Sequence, residues 1–297
     1  MTPERALAAV TCRLPVRGRE WLAGKLFARD HARDEWWQVD VGGGLRLHLP
    51  ASSRQSWVAA FTGTYDRDEV ALLASHLRPG TVALDIGASL GLYTVQLAEW
   101  ARSLQARVIA VEPIPANAAI IRANIDRNGL GAYASVMELA LGIEDSSVIM
   151  RVERGGLGNA TVATGVAEAE MARHASNGGL GAGVEIAVKP LDSLSFDAPV
   201  SVVKMDAEGF EMDILSGADR FIARYRPVIF AEFSEEWMLS RGRSLDDPFE
   251  WAAKHGYGVY KVAVERSGRV LKKTELRITQ IESSRHRGAA ELLLAPL

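Results

Sequence analysis

The sequence predicts an α/β fold in which a mostly parallel, doubly wound sheet carries helices on both faces. Three observations lead to this prediction. Short apolar runs, typical of strands that are buried on both faces, recur along the chain, and one of them is Val82–Ile86. Amphipathic segments with helical spacing alternate with these runs. The turn Gly87–Gly91 joins that run to its helix, and its glycines permit a tight turn and a close backbone approach.

The composition is that of a globular protein with a sizeable core. Of the 297 residues, 48% are hydrophobic and 24% are charged, and the net charge is −3. This charge gives no general attraction to nucleic acid or to anionic membranes, so we expect neither as a partner. The single cysteine, Cys12, argues against a disulfide framework, and no apolar run approaches the roughly 18 residues of a membrane span. The charged N-terminus is unlike a secretory signal, and we expect a cytoplasmic protein.

Residues 1–60 are predicted to form a helical segment and a hairpin that precede a main domain, 61–297. Residues 1–34 have helical apolar spacing, and their apolar faces would pack on the main domain or on a second copy of the chain. A homodimer through this segment is therefore expected. Alternation around three glycines predicts a β-hairpin over 36–49.

The main domain is predicted to continue as alternating strands and helices. Further strands are expected at 108–111, 135–141, 147–152, 184–188, 200–206, 228–231, 257–264 and 291–295. Helices are expected at 65–76, 117–129, 210–225 and 249–254. The glycine-rich and alanine-rich stretch 153–183 is either a flexible insertion or a lid that covers the substrate.

Two acidic residues beside the glycine turn predict the kind of ligand. Glu112 follows the turn by roughly 20 positions and ends the next strand, where a nucleotide-binding βαβ unit keeps its ribose-binding carboxylate. A carboxylate at this place can accept hydrogen bonds from both ribose hydroxyls. Asp85, just before the turn, would repel a pyrophosphate but attract a cation. S-adenosylmethionine carries an ammonium and a sulfonium and no phosphate, so this charge pattern favours it over a dinucleotide.

The glycine turn also fits G-x-S-x-G, the nucleophile elbow of α/β-hydrolases, with Ser89 as the nucleophile. Against this alternative, the turn follows only a hairpin and helices, whereas the elbow normally follows several strands. A hydrolase also has no use for Asp85 together with Glu112. A third alternative is a cofactor-binding regulator that lacks catalysis, and the intact acidic groups described below count against it.

Several stretches resemble the FkbM family of methyltransferases. The most specific is Lys204–Glu211, K-M-D-A-E-G-F-E, and the resemblance is collinear from about Tyr65 to Glu232. It implies a class I Rossmann-like methyltransferase fold that uses S-adenosylmethionine, and O-methylation of a hydroxyl on a small molecule such as a natural product or a sugar. Ser89, where the family typically has asparagine, and the long insertion are departures. The other matching stretches are Asp85–Thr94, Val111–Pro113 with helix 117–129, Ala140–Gly142, Leu191–Asp192 and Arg226–Glu232.

The cofactor site is predicted from residues at strand ends, because ligands of a doubly wound sheet lie at the carboxyl ends of its strands. We expect Asp85 to meet the cofactor ammonium, Glu112 to hold the ribose and Leu141 to flank the adenine. Tyr65 is expected to close over the methionine part. The remaining predicted cofactor-binding residues are Gly87, Ala88, Gly91, Thr94 and Pro113.

The predicted catalytic residues are acids. Asp206 is expected to act as a base or to anchor the acceptor hydroxyl, because an alcohol is a poor nucleophile while protonated. Glu232 and Glu208 are second choices, although Glu208 fits equally well as a first-turn acid stabilised by the helix dipole. Asp206 and Glu232 could also bind Mg²⁺. Lys204 is expected to form a salt bridge that tunes a nearby carboxylate.

Overall fold

The computed structural model describes residues 2–12, 18–30, 35–153, 160–162, 180–267, 273–282 and 290–297. The N-terminal part contains helices α1 (Pro3–Thr11) and α2 (Arg19–Asp30), the hairpin β1 (Trp36–Asp40) and β2 (Arg46–Pro50), and helix α3 (Arg54–Thr62). The later helices are α4 (Arg67–His76), α5 (Leu92–Leu104), α6 (Pro115–Arg127), α7 (Glu211–Ser216), α8 (Asp219–Tyr225), α9 (Glu235–Ser240) and α10 (Asp247–His255). The later strands are β3 (Val82–Ile86), β4 (Arg107–Val111), β5 (Ala134–Met137), β6 (Ala140–Gly142), β7 (Ser146–Glu153), β8 (Ala160–Val162), β9 (Leu180–Pro190), β10 (Val200–Met205), β11 (Val228–Phe233), β12 (Tyr257–Ser267), β13 (Lys273–Gln280) and β14 (Ala290–Pro296).

The main sheet has the strand order β13-β12-β14-β11-β10-β3-β4-β5. Strands β5, β4, β3, β10 and β11 are parallel, while β14, β12 and β13 continue the sheet in antiparallel pairs. The predicted α/β fold, a mostly parallel sheet closed by an antiparallel strand, is confirmed. From β3 the chain runs outward to β4 and β5, and it later returns to place β10 on the other side of β3. Such a switch in strand order opens a crevice at the carboxyl ends of β3 and β10.

The core lies on both faces of this sheet. Alternate residues of β3 face opposite sides, so that Leu84 packs in one apolar cluster and Ala83 in the other. Leu97 of α5 belongs to the Ala83 cluster, and Ile214 of α7 belongs to the Leu84 cluster. Helices therefore cover both faces, and every side chain of the central strands β3 and β10 is buried.

A second sheet, with the order β6-β9-β7-β8, lies outside the main sheet. Strand β7 pairs antiparallel with β9, which confirms the predicted antiparallel pair in this region. Strand β6 pairs parallel with the end of β9. Most of the predicted lid, residues 154–159 and 163–179, lies outside the described residues.

The N-terminal hairpin packs on α6 through two asparagine side chains that imitate a neighbouring strand. Asn124 accepts from the His48 backbone nitrogen at 2.7 Å and donates to the His48 carbonyl at 3.2 Å. Asn128 makes the same pair of bonds to Arg46, at 2.9 Å each. These bonds satisfy backbone groups at the exposed side of the hairpin and attach it to the helix beside the crevice.

Two predicted elements are each divided in the structure. The strand predicted at 135–141 is wrong, because β5 ends at Met137 and the chain leaves the main sheet before β6 begins. The helix predicted at 210–225 is also wrong, because it breaks at Gly217 into α7 and α8. A Cβ at Gly217 would lie 2.2 Å from the carbonyl oxygen of Gly142, so the two backbones approach too closely for any side chain. Helices α3 and α9 and strand β13 were not predicted.

Within the described residues, no helix is both long enough and apolar enough to cross a membrane.

Candidate active site

The glycine turn touches the loop after β10 at the crevice. Gly87 has a positive φ of 72°, and a Cβ on it would lie 1.9 Å from the carbonyl oxygen of Asp206. Only glycine allows this contact, because the backbone conformation and the available space both exclude a side chain. The turn and Asp206 are therefore held together at the point where the strand order reverses.

Below the turn, Asp85 and Lys204 occupy paired positions on β3 and β10. Asp85 is fully buried, and its Oδ2 accepts a hydrogen bond from Thr94 Oγ1 at 2.6 Å. The Lys204 ammonium lies 3.6 Å from Asp85 Oδ1 and 3.6 Å from Asp206 Oδ2. Burial by itself lowers the pKa of Lys204, but the carboxylates of Asp206 and Asp85 outweigh it and the pKa is raised. The lysine is therefore a buried cation that pairs with two acids, and the predicted salt bridge is present.

Lys204 also contacts an aromatic ring. Its ammonium lies 4.9 Å from the centre of the Tyr93 ring, within the range of a cation–π interaction. Tyr93 in turn packs edge-to-face against Tyr65, with ring centres 6.3 Å apart. These rings keep water from one side of the charged cluster, which strengthens its electrostatic interactions.

Glu112 follows β4 and is 4% exposed. Its Oε2 accepts from the Ser89 backbone nitrogen at 2.8 Å. Its Oε1 accepts from the Ile114 backbone nitrogen at 3.0 Å and from Asn117 Nδ2 at 3.2 Å. Burial raises the pKa of Glu112 to about 7, and these hydrogen bonds oppose the rise. The glycine turn, the end of β4 and the first turn of α6 thus share one carboxylate.

A cavity of about 320 Å³ opens beside Glu112. One end is polar and includes Ser89, Glu112 and Asn117, while Asp206 and Glu208 lie on its wall. The second sheet supplies an apolar wall with Val148, Met150 and Val188. A cavity of this volume, with a few polar groups among apolar ones, is typical of a small-molecule site. Pro113 and Leu141 also line it.

A smaller cavity of about 110 Å³ adjoins the first across Asp206, which lines both. Gln55, Gly87 and Ser89 also line both cavities. The acids of the smaller cavity come from distant parts of the chain, and Glu232 and Glu291 are opposite each other on the paired strands β11 and β14. Its lining also includes the polar residues Asp66 and Lys204, the aromatic residues Tyr65, Tyr93 and Phe230, and Ala88.

Crowding of carboxylates changes their proton affinity. Desolvation in the crevice, followed by repulsion from Asp206 and Glu232, raises the pKa of Glu208 to about 7, although part of its side chain reaches solvent. Desolvation, with the nearby Asp206 charge, also raises the pKa of Glu232. Burial raises the pKa of Glu291 to about 7. The crevice is thus strongly acidic, and several of its groups exchange protons near neutral pH.

The family model for the methyltransferase FkbM domain matches residues 85–259, more than half of the chain. The chain belongs to the FkbM methyltransferase family. The resemblance seen in the sequence is therefore confirmed, and the hydrolase alternative is wrong. The Ser89 hydroxyl donates to the amide oxygen of Gln55 at 3.3 Å.

A curated relative and two solved structures are similar to this FkbM-family chain. The AMB antimetabolite synthetase AmbE of Pseudomonas aeruginosa is 25% identical over 283 residues, which cover 82% of this chain and 12% of the relative. The FkbM methyltransferase from Methylobacillus flagellatus is 17% identical, with a TM-score of 0.41 and coverage of 81% of this chain and 54% of that one. The precorrin-6y C5,15-methyltransferase from Geobacter metallireducens is 16% identical, with a TM-score of 0.42 and coverage of 77% and 87%.

Most of the predicted site residues of this methyltransferase line one of the two cavities, and the others lie near them. Those that line the larger cavity are Gly87, Glu112, Pro113, Leu141, Asp206 and Glu208. Tyr65, Ala88 and Glu232 line the smaller one. Asp85 and Thr94 lie below the cavities, where their hydrogen bond supports the turn. Gly91 lies at the start of α5, where a Cβ would press at 3.1 Å on Ile121 of α6.

Leu141 reaches the cavity by a different route from the one predicted. It lies in β6 of the second sheet and not at the end of a main-sheet strand. Asp85, for its part, has Thr94 and Lys204 as its partners in the structure. Its contact with the cofactor ammonium stays a prediction.

The magnesium prediction for Asp206 and Glu232 gains no support. Across the described part of the chain, no group of three or more histidine, cysteine, aspartate or glutamate side chains is arranged to hold a metal ion.

Many residues that line the cavities were not predicted, among them Gln55, Glu291 and Asn117. Gln55 comes from α3 in the N-terminal part, and no local motif marks it. Glu291 comes from the last strand, and only its pairing with Glu232 brings it to the crevice. Asn117 offered a usable signal, since it follows Glu112 in the first turn of the next helix, where side chains face the end of β4.

Proposed function

We propose that this FkbM-family methyltransferase transfers a methyl group from S-adenosylmethionine to a hydroxyl of a small molecule. The observation that carries the proposal is the buried Glu112 at the polar end of the larger cavity, beside the glycine turn. A carboxylate at the end of the second strand of a βαβ unit is suited to the hydroxyls of a ribose. The cavity volume of about 320 Å³ fits a nucleoside.

The charge of the crevice selects the cofactor class. Asp206 lines both cavities, Glu208 lines the larger one and Glu232 lines the smaller one. These acids would repel the pyrophosphate of a dinucleotide and attract a sulfonium and an ammonium. When bound, S-adenosylmethionine supplies an electrophilic methyl group, and the protein has to align it with the acceptor.

The two adjoining cavities suggest how the reactants meet. With the methyl donor in the larger cavity and the acceptor in the smaller one, both would contact Asp206, which lines both. Holding the two in line raises their effective concentration, which can supply much of the rate enhancement. Asp206 would orient the acceptor hydroxyl or take its proton. Glu208, with a pKa of about 7, is positioned to exchange that proton with solvent.

The acceptor is proposed to be a natural product or a sugar. The name of the similar AmbE protein, an antimetabolite synthetase, supports a role in the synthesis of a small natural product, although the chain spans only 12% of that relative. Methyl transfer with ¹³C-methyl-labelled cofactor, followed by NMR of the product, would separate an O-methyl from an N-methyl group by chemical shift. An N-methyl product would contradict the hydroxyl assignment.

Calorimetry tests the cofactor assignment directly. S-adenosylhomocysteine should bind to the wild-type protein, and Glu112→Ala should abolish measurable binding. The matched control is Glu99→Ala, which changes a half-buried glutamate of α5 that pairs with Arg102 outside the cavities. Binding of NAD in place of S-adenosylhomocysteine, or full retention of affinity in Glu112→Ala, would contradict the proposal.

A homodimer that forms through the N-terminal segment is a separate proposal. Val10 is 59% exposed and Trp21 is 67% exposed, and such side chains are suited to contact with a second copy. Light scattering after size-exclusion chromatography tests it, and a monomeric wild-type protein would contradict it.

A further inference from the structure

Asn117 lines the larger cavity and carries a buried hydrogen-bond acceptor that has no partner among the described residues. It is 3% exposed and lines the cavity from the first turn of α6. Its Nδ2 donates to Glu112 Oε1 at 3.2 Å. Its carbonyl oxygen, Oδ1, is buried and has no hydrogen-bond partner within the described part of the chain. A buried acceptor without a partner is unfavourable in a folded protein and indicates a group that a ligand completes.

The orientation of this amide follows from the chemistry of its neighbour. Above pH 7, where Glu112 is mostly ionised, its carboxylate only accepts hydrogen bonds, so the nitrogen of the Asn117 amide has to face it. The carbonyl oxygen is therefore the atom left for a ligand, and it can bind only a donor, such as a hydroxyl.

Glu112 has too few free acceptor sites for a complete ribose. A carboxylate oxygen offers two lone-pair sites. Among the described residues, Oε1 already accepts from Ile114 N and Asn117 Nδ2, which fills both sites. Oε2 accepts from Ser89 N and has one site left. A ribose presents two neighbouring hydroxyls, so one of them needs an acceptor other than Glu112.

We propose that Asn117 Oδ1 accepts the hydrogen bond of one ribose hydroxyl of the cofactor, while Glu112 Oε2 accepts that of the other. Asn117 is thus a binding residue that recognises the vicinal diol jointly with Glu112. This inference rests on the proposed use of S-adenosylmethionine. It replaces the expectation that a single carboxylate binds both hydroxyls.

The test combines a variant with ligand analogues. S-adenosylhomocysteine and its 2′-deoxy and 3′-deoxy analogues are titrated by calorimetry into the wild-type protein and into Asn117→Ala at pH 8. Loss of one neutral hydrogen bond should weaken S-adenosylhomocysteine binding about fivefold to tenfold in the variant. For the analogue that lacks the hydroxyl bound by Asn117, the same substitution should change the affinity less than about twofold, because the bond is already missing.

The control is Asn128→Ala, directly after the same helix, which removes bonds to the Arg46 backbone outside the cavities. It should lower the melting temperature and leave the ratios between the three ligands unchanged. If Asn117→Ala fails to fold, Asn117→Ser, which also lacks the amide, is used in its place. If Asn117→Ala weakens the binding of all three ligands equally, or of none, this inference is overturned and the proposed function is not. Absence of S-adenosylhomocysteine binding to the wild-type protein overturns the proposed function and this inference with it.

Discussion

The ammonium of Lys204 lies 3.6 Å from the carboxylate of Asp206, at the bottom of the crevice where the two cavities meet. Lys204 is 5% exposed and also lies 3.6 Å from the fully buried Asp85. The lysine therefore compensates an acid that lines both cavities and an acid that supports the glycine turn. This one buried charge therefore connects the support of the glycine turn with the acid that both cavities share.

Replacing this lysine should be severely destabilising. Lys204→Met leaves the Asp85 carboxylate buried without a compensating charge, and we expect a loss of about 3–5 kcal/mol in the free energy of unfolding. Urea denaturation measures it. The double variant Lys204→Met with Asp85→Asn removes the buried charge and should recover a large part of that loss. A single variant as stable as the wild type would show that the ion pair is unimportant for the fold.

Asp206 is expected to act in the chemical step more than in cofactor binding. Asp206→Asn should lower kcat by about 100-fold to 10,000-fold, which is the range for loss of a general base. The affinity for S-adenosylhomocysteine should change only a few-fold. The comparison variants are Glu208→Gln and Glu232→Gln, for which we expect smaller losses. Equal kcat values for Asp206→Asn and the wild type would exclude Asp206 as the base or anchor.

Glu211 makes the folded protein sensitive to pH. It is 1% exposed, its Oε1 accepts from the Ala207 backbone nitrogen at 2.6 Å, and burial raises its pKa from 4.5 to about 7. Between these two values the folded state binds more protons than the unfolded state, so stability falls as pH rises from about 4.5 to about 7 and stays lower above it. This contribution to the free energy of unfolding is on the order of 3 kcal/mol, and the neutral variant Glu211→Gln should not lose it as the pH rises.

Urea denaturation of the wild type and of Glu211→Gln at pH 5 and at pH 8 tests this prediction. The variant should gain stability relative to the wild type at the higher pH. An equal dependence on pH in the two proteins would contradict it.

Gly87 and Gly80 form a matched pair for testing the close approach at the crevice. Both have positive φ, 72° and 69°, but a Cβ at Gly80 meets nothing within 4 Å, whereas one at Gly87 lies 1.9 Å from the Asp206 carbonyl. Gly80→Ala should therefore cost only the backbone strain, about 1–2 kcal/mol. Gly87→Ala should cost more and should also weaken cofactor binding, because the turn and Asp206 have to separate. Thermal unfolding and calorimetry measure the two effects, and equal costs would show that the contact is unimportant.

Much of the crevice could be predicted because its parts are close together in the sequence. The apolar run of β3, the glycine turn and Glu112 fall within one strand–helix–strand unit, and the rule that ligands lie at the carboxyl ends of strands places them together. Asp206 and Glu232 follow from the same rule applied to β10 and β11. The divided elements could not be predicted in this way, since the break at Gly217 depends on the distant Gly142 backbone.

The sequence by itself determined the alternation of strands and helices, the glycine turn and the acids at the strand ends, because hydrophobic periodicity and turn chemistry act over a few neighbouring residues. Only the tertiary structure decided that Lys204 is shared between Asp85 and Asp206, that Glu291 faces Glu232, and that Asn117 keeps a free acceptor beside Glu112. These relationships depend on strand order, on register and on how many lone pairs are already occupied. Such quantities are properties of the packed molecule, since they arise from contacts between residues that are far apart in the sequence.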